Sequence, residues 1–227
     1  MPVSQNKPRS PLARPKASSS RAPATAPAMP TTRELVIDAC RELFNARGPM
    51  TVTTAEIAAE VGINEGNLYY YFKRKEDILL TLFERFESDL ITVASMAAVD
   101  LQSEHPFAPY QRAWMELMWT WRFFFRDSAA VFALAPSLRP RLVKLSDSGQ
   151  ASFRAAVAAL VRTGRLRGTE EQLDRLCVNC WIVAAYWIDY LGACHGIERL
   201  QRKHLDQGYA QVQALFEPYA VHPAVRR

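Results

Sequence analysis

Between positions 53 and 75 the chain gathers Thr53, Thr54, Asn64, Glu65, Gly66, Asn67, Tyr69, Tyr70, Tyr71, Lys73 and Lys75. Hydroxyls and backbone N–H groups at a helix start bond phosphate oxygens, amides and carboxylates meet adenine and cytosine edges, and an ammonium pairs with phosphate. A phenol adds contact with a thymine methyl or a sugar. Turnover would need other groups: a nucleophile beside a base, paired carboxylates, or a cofactor cradle. None can be assembled from this sequence, so neither an enzyme nor a cofactor or metal site is expected.

Groups of this kind work only if short helices aim them. Thr53 and Glu56 have the spacing of a capping box, and Ile57, Ala58 and Val61 give the helix that follows a buried side. Gly62 permits a sharp turn, and Asn64 caps a third helix through Phe72, with Ile63, Leu68 and Phe72 knitting the pair together. Before them, Thr31 or Thr32 opens a first helix with Glu34 in its first turn, an apolar stripe of Val36, Ile37, Ala39, Cys40, Leu43 and Phe44, and a stop at Gly48 and Pro49. After them, Ile78, Leu79, Leu82, Phe83 and Phe86 mark a fourth helix from Glu76. Two short helices joined through Gly62 have a direct use: the first crosses the phosphodiester backbone and the second enters the major groove. Three consecutive tyrosines cannot share one helical face, so about one of them should be core. Glu65 has a second reading, a solvated first-turn acid favoured by the helix dipole.

The stretch 33–79, above all Thr53, Ile57, Ala58, Val61, Gly62, Gly66, Leu68, Tyr69, Phe72, Lys75 and Glu76, resembles the DNA-binding domain of the TetR/AcrR family of transcriptional regulators. The resemblance implies an all-α chain: an N-terminal three-helix helix-turn-helix domain at 31–78, then a helical effector-binding and dimerisation domain at 79–220. It implies a homodimer on a double-stranded palindromic DNA operator, probed by the residues above, with Lys75 as the leading phosphate contact. Tyr69 stands where the family commonly has a tyrosine that supports the domain or meets phosphate. Tyr71 stands where histidine is more frequent, so protonation-assisted contact is lost. A repressor released by a small apolar or aromatic effector is the expected function. A constitutive dimeric regulator without an effector is the alternative, and a filled interior would favour it.

The body reads as five or six helices broken near 105–109, 136–140, 163–168 and 192–196. Its aromatic density exceeds one helix face, so the rings must line a core, a cavity or a partner helix; the candidates for an effector pocket are Tyr110, Trp114, Met118, Trp121, Phe125, Phe132, Trp181 and Tyr186, with core packing the other reading for any one of them. The segment 176–197 is apolar around most of a helix, which suits a dimer interface from Val183, Ala184, Trp187, Tyr190 and Leu191 with Tyr209, Val212 and Phe216. Cys177 and Cys180 read as buried thiols; redox or metal sensing through them is an alternative of another class. His204 and His222 read as surface residues.

The formal charge of +5 resides in residues 1–30, where Lys7, Arg9, Arg14, Lys16 and Arg21 stand without an acid in a Pro, Ala and Ser-rich tail expected to be disordered. A short tail, 221–227, closes the chain. No apolar run reaches the roughly 18 residues of a membrane helix, because Asp189 interrupts the best candidate, 177–194. No secretion signal follows the basic stretch, so a cytoplasmic protein without membrane contact is expected.

Overall fold

The structure, a computed structural model, describes residues 29–96 and 108–221. The expected tails, apart from Met29, Pro30 and Val221, lie outside the described residues, as do His222 and positions 105–107 of the first expected break.

Local capping dictates where the helices begin. The Thr31 hydroxyl accepts the Glu34 N–H at 3.3 Å while the Glu34 carboxylate takes the Thr31 N–H at 2.7 Å, a capping box that opens α1 (Thr32–Arg47). Thr53 and Glu56 repeat the device for α2 (Thr54–Val61), and Asn64 Oδ1 accepts from Asn67 N at 2.8 Å to open α3 (Glu65–Tyr71). A long α4 (Lys75–Ser95) runs from this head into the body. The body comprises α5 (Ala108–Thr120), α6 (Arg122–Arg126), α7 (Ser128–Leu134), α8 (Leu138–Arg162), α9 (Glu170–His195) and α10 (Arg202–Phe216), followed by a 3-10 turn (Glu217–Tyr219). This is the all-helical plan expected, a helix-turn-helix unit followed by a helical body; the only pairing of β type among the described residues is an isolated bridge between Leu166 and Ala220.

Three expected breaks move: Ala108 and Pro109 of the first already lie in α5. Pro140 lies in the first turn of α8, where its missing N–H costs no helical bond, so the break is at 135–137. Gly192 lies inside α9, which ends only where Gly196 adopts a left-handed φ of 62°. The expectation that Asp189 leaves no segment long and apolar enough for a membrane helix does not hold. Among the described residues, α9 is one helix long and apolar enough, by length and composition, to cross a membrane, because a single Asp189 does not lower its hydropathy below that level. Its inward face packs on α5, α6, α8 and α10.

Head and body share one aromatic core. Phe86 on α4 meets Phe83, Trp121, Phe124 and Phe125 with ring centroids 5.3–6.0 Å apart. Farther down, tryptophans lie directly on glycines. A Cβ at Gly208 would stand 2.6 Å from Trp187 Cδ1 and 2.8 Å from Met115 Cε. Trp187 cannot swing aside freely, since its Nε1–H donates to the His204 carbonyl at 2.7 Å. Gly208→Ala is therefore expected to lower stability by about 1–3 kcal/mol, read as a fall in the thermal midpoint, despite alanine's better helix propensity. His204, expected at the surface, is buried: its Nδ1 accepts from Gln201 N at 3.0 Å as part of the start of α10.

Candidate nucleic-acid interface

The turn between α2 and α3 is built from backbone. Gly62 takes φ 75°, its N–H reaches Ala59 O at 3.2 Å, and Ile63 N–H reaches Ala58 O at 2.9 Å, a helix end that redirects the chain within two residues. Leu68 and Phe72, one turn apart, bury the inner side of α3, with the Arg33 guanidinium 5.0 Å over the Phe72 ring. Everything else on α3 faces outward. None of the three tyrosines is core, contrary to expectation, because Leu68 and Phe72 already fill the space that α3 covers. Tyr70 is 75% exposed and meets Tyr71 edge-on at 5.2 Å.

The polar residues divide into committed and presented groups. The Thr54 hydroxyl donates to Glu65 Oε1 at 2.5 Å and lies 3.4 Å from the Tyr69 hydroxyl, so Thr54, Glu65 and Tyr69 brace α2 against α3. Glu65 is thus neither a lone solvated acid nor an unengaged reader. The Thr53 hydroxyl is held by its own capping box. Asn67, Tyr70, Tyr71 and Lys73 present their side chains to solvent, and Gly66 keeps the outer surface low between them.

Lys75 requires a correction. Expected as the leading phosphate contact, its ammonium instead points inward, donating to Pro49 O at 2.9 Å and Val52 O at 2.5 Å. Residues 49–52 turn between α1 and α2, and their carbonyls have no helical partners, so the start of α4 supplies a donor. Desolvation there lowers the Lys75 pKa from its ordinary value.

Electrostatics in the head are mostly internal. Residues 33–86 carry seven basic and nine acidic side chains, and several acids are paired: Asp38 with Arg85 at 2.8 Å, Glu56 with Arg47 at 2.8 Å and Glu76 with Arg74 at 3.0 Å. The hydrogen bond from Thr53 N–H, then those from Arg47 and the Thr53 hydroxyl, hold the Glu56 carboxyl down at about 2. A depressed carboxyl contributes stability that is present above its unfolded value of 4.5 and is lost as pH falls through about 2. The thermal midpoint of the unsubstituted protein should exceed that of Glu56→Gln at neutral pH, with the gap closing between pH 4.5 and 2.

In the body, the residues expected to line one pocket separate. Trp121 is 1% exposed and donates its indole N–H to Asp89 Oδ2 at 2.9 Å in the head–body core, where Phe125 also packs. Phe132 lies under Arg139, and Met118 is buried without lining the void. Tyr186 is outside, 56% exposed. Tyr110, Trp114 and Trp181 do come together, with Gln111, Met115, Phe153, Cys180, Ala184 and Val212, but around only about 20 Å³ of space. That is room for about one water, against the 300–1,000 Å³ or so of ligand pockets.

The expected interface residues also divide. Ala184 and Leu191 on α9 and Val212 and Phe216 on α10 are buried within the chain, where the two helices pack on each other and on their neighbours. The apolar side that α9 leaves exposed carries Val178, Ile182, Tyr186 and Tyr190, each four residues from the last and so on one stripe. Beside it runs an open groove of about 690 Å³ lined by Ile182, Val183, Tyr186, Trp187, Tyr190 and Leu191 together with residues of α10. Desolvation pushes the Cys177 thiol up to about 11 and that of Cys180 to about 12, which keeps both protonated and opposes a redox role.

The family description "TetR: Bacterial transcriptional repressor" matches residues 82–226, and "Bacterial regulatory proteins, tetR family" matches residues 36–82. The chain belongs to the TetR family. A TetR-family regulator from Marinobacter aquaeolei VT8 shares 28% identity and a TM-score of 0.72 over 84% of this chain and 92% of that one. A fatty acid metabolism regulator protein of Bacillus subtilis (strain 168) is 38% identical over 63 residues, 24% of this chain and 32% of that protein. The HTH-type transcriptional regulator AcrR of Shigella flexneri is 32% identical over 59 residues, 26% of this chain. The chain thus spans about a third or less of these two relatives, 32% and 27%. Regulators of the TetR family are DNA-binding, non-enzymatic transcription factors that act as dimers. Asn45, which helps to join the TetR-type head to its body, was not singled out in the sequence. The one local signal was a polar residue in the last turn of the apolar stripe of α1.

Proposed function

We propose that the protein represses transcription in the cytoplasm as a homodimer that places two copies of α3 in a two-fold DNA operator, with domains at 31–78 and 79–220. The observation that carries this reading is the outward face of α3: Asn67, Tyr70 and Tyr71 point to solvent from a helix anchored by Leu68 and Phe72, with Lys73 exposed just beyond its end. Asn67 and Tyr70 read base edges, Lys73 meets phosphate, and Gly66 allows close approach. Asn64, Thr53, Thr54, Glu65, Tyr69 and Lys75 act chiefly by holding α2, α3 and the turn before them in place. The exposed stripe of α9 supports dimerisation, since a contiguous apolar face of this kind marks an interaction site.

On regulation, the void of about 20 Å³ favours the constitutive reading for this conformation. Release by a small aromatic effector bound in that void would require Trp114 and Trp181 to leave Gly149, over which they lie. Selection of binding sites from random duplex DNA tests the core of the reading. A two-fold symmetric sequence supports it, and binding without sequence enrichment overturns it. Titration of that complex with small aromatic compounds then separates the two modes of regulation: dissociation by any of them overturns the constitutive one.

A further inference from the structure

We propose that Asn45 and Arg126 are positioning residues for operator reading: they fix the angle at which the head is carried on the body, and so the half-site spacing that the dimer accepts. The inference rests on the dimeric DNA reading above. Within the described residues, α4 carries the head into the body as one continuous helix, and a unit held by one helix can swivel about it. A second attachment lies at the far end of α1.

Asn45 is 2% exposed, and its side chain spans the break between α5 and α6. Nδ2 donates to the Thr120 carbonyl at 2.9 Å, and Oδ1 accepts from the Phe123 N–H at 3.2 Å. Backbone groups at a helix end lack partners of their own, and here a residue of the head supplies them. Arg126, at the end of α6, makes the reciprocal contact. Its Nη1 donates to the Asn45 carbonyl at 2.9 Å and its Nη2 to the Phe44 carbonyl at 3.0 Å. The Asn45 carbonyl would otherwise look to residue 49 for an N–H, and residue 49 is proline, which has none. A cation at that end of α1 also complements its dipole.

The same guanidinium is pinned from behind by Asp127 Oδ2, at 2.6 Å from Nη2 and 3.1 Å from Nε. Gly48 makes room for this carboxylate: a Cβ there would stand 3.3 Å from Asp127 Oδ2, and its φ of 83° is one that only glycine adopts without strain. Phe44 and Phe123 close the joint edge to face at 5.6 Å. Apolar packing alone tolerates small rotations. Four hydrogen bonds between side chains and backbone, made in both directions across the joint, do not.

The test uses the full chain and the two-fold duplex recovered from random DNA, with companion duplexes whose half-sites are moved one or two base pairs closer or farther apart. Loss of hydrogen bonds of this kind, buried or partly buried, shifts an equilibrium by about ten-fold, so Asn45→Ala and Arg126→Gln should each reduce the preference for the selected spacing by about that factor. Base preference within each half-site should not change, because α3 is untouched. Arg126, with its side chain 25% exposed, gives the variant expected to fold if Asn45→Ala does not. A loss of affinity that is equal on every spacing overturns the proposal, since the residues would then serve stability alone; so does an unchanged spacing preference in Arg126→Gln. A selection that recovers no two-fold sequence overturns the dimeric reading, and this inference with it.

Discussion

Tyr186→Asp is expected to give a folded protein that sediments as a monomer and has lost specific binding to a two-fold operator. Folding should survive because Tyr186 is among the more exposed apolar residues of α9, in the middle of the stripe Val178, Ile182, Tyr186 and Tyr190. A two-fold interface places each substitution in the contact twice. An unpaired carboxylate left in a buried contact costs about 3–5 kcal/mol, so two of them raise the dimer dissociation constant by about four orders of magnitude or more. Tyr186→Phe keeps the apolar surface and should remain dimeric. Sedimentation at several protein concentrations decides the matter: a Tyr186→Asp protein that stays dimeric would move the interface off this stripe. Trp187 would be a poor choice for the same experiment, because its indole N–H holds the His204 carbonyl and its ring lies on Gly208, so its loss would disturb the fold itself.

What the sequence revealed and what it hid follow from the range of the interactions concerned. Caps are local: Thr53 with Glu56, Asn64 before α3 and Gly62 between the helices each depend on residues within a few positions, and each was legible. The outward turn of all three tyrosines was not, because it depends on Leu68 and Phe72 having filled the space under α3. In α9 the difficulty was periodicity itself. A helix apolar on most sides does not say which side is inward, so Ala184 and Leu191 were assigned to a partner while both are in fact buried within the chain. Aromatic composition likewise reports how much ring surface must be placed but not how tightly. Gly149 and Gly208 let tryptophans settle against helix backbone, and the expected pocket shrank to about 20 Å³.

Lys73 and Lys75, two residues apart, should respond in opposite ways when the salt dependence of operator binding is measured. Each ammonium that neutralises a phosphate releases counterions and contributes about 0.9 to the slope of log K against log salt. Lys73 points to solvent beside the exposed face of α3, so Lys73→Ala in a dimer should flatten the slope by about 2, with little change in thermal stability. Lys75 is turned the other way, with its Nζ given to the Pro49 and Val52 carbonyls. Lys75→Met removes two charge-assisted hydrogen bonds that hold the 49–52 turn and leaves those carbonyls without their donor, so a loss of about 1.5–3 kcal/mol in stability is expected. Its affinity should fall because the start of α2 is no longer held, yet the salt slope should stay near that of the unsubstituted protein. Thermal melts and binding isotherms at several salt concentrations separate the two roles. A slope that flattens by about 2 in Lys75→Met would mean that the ammonium leaves its carbonyls for phosphate when DNA arrives.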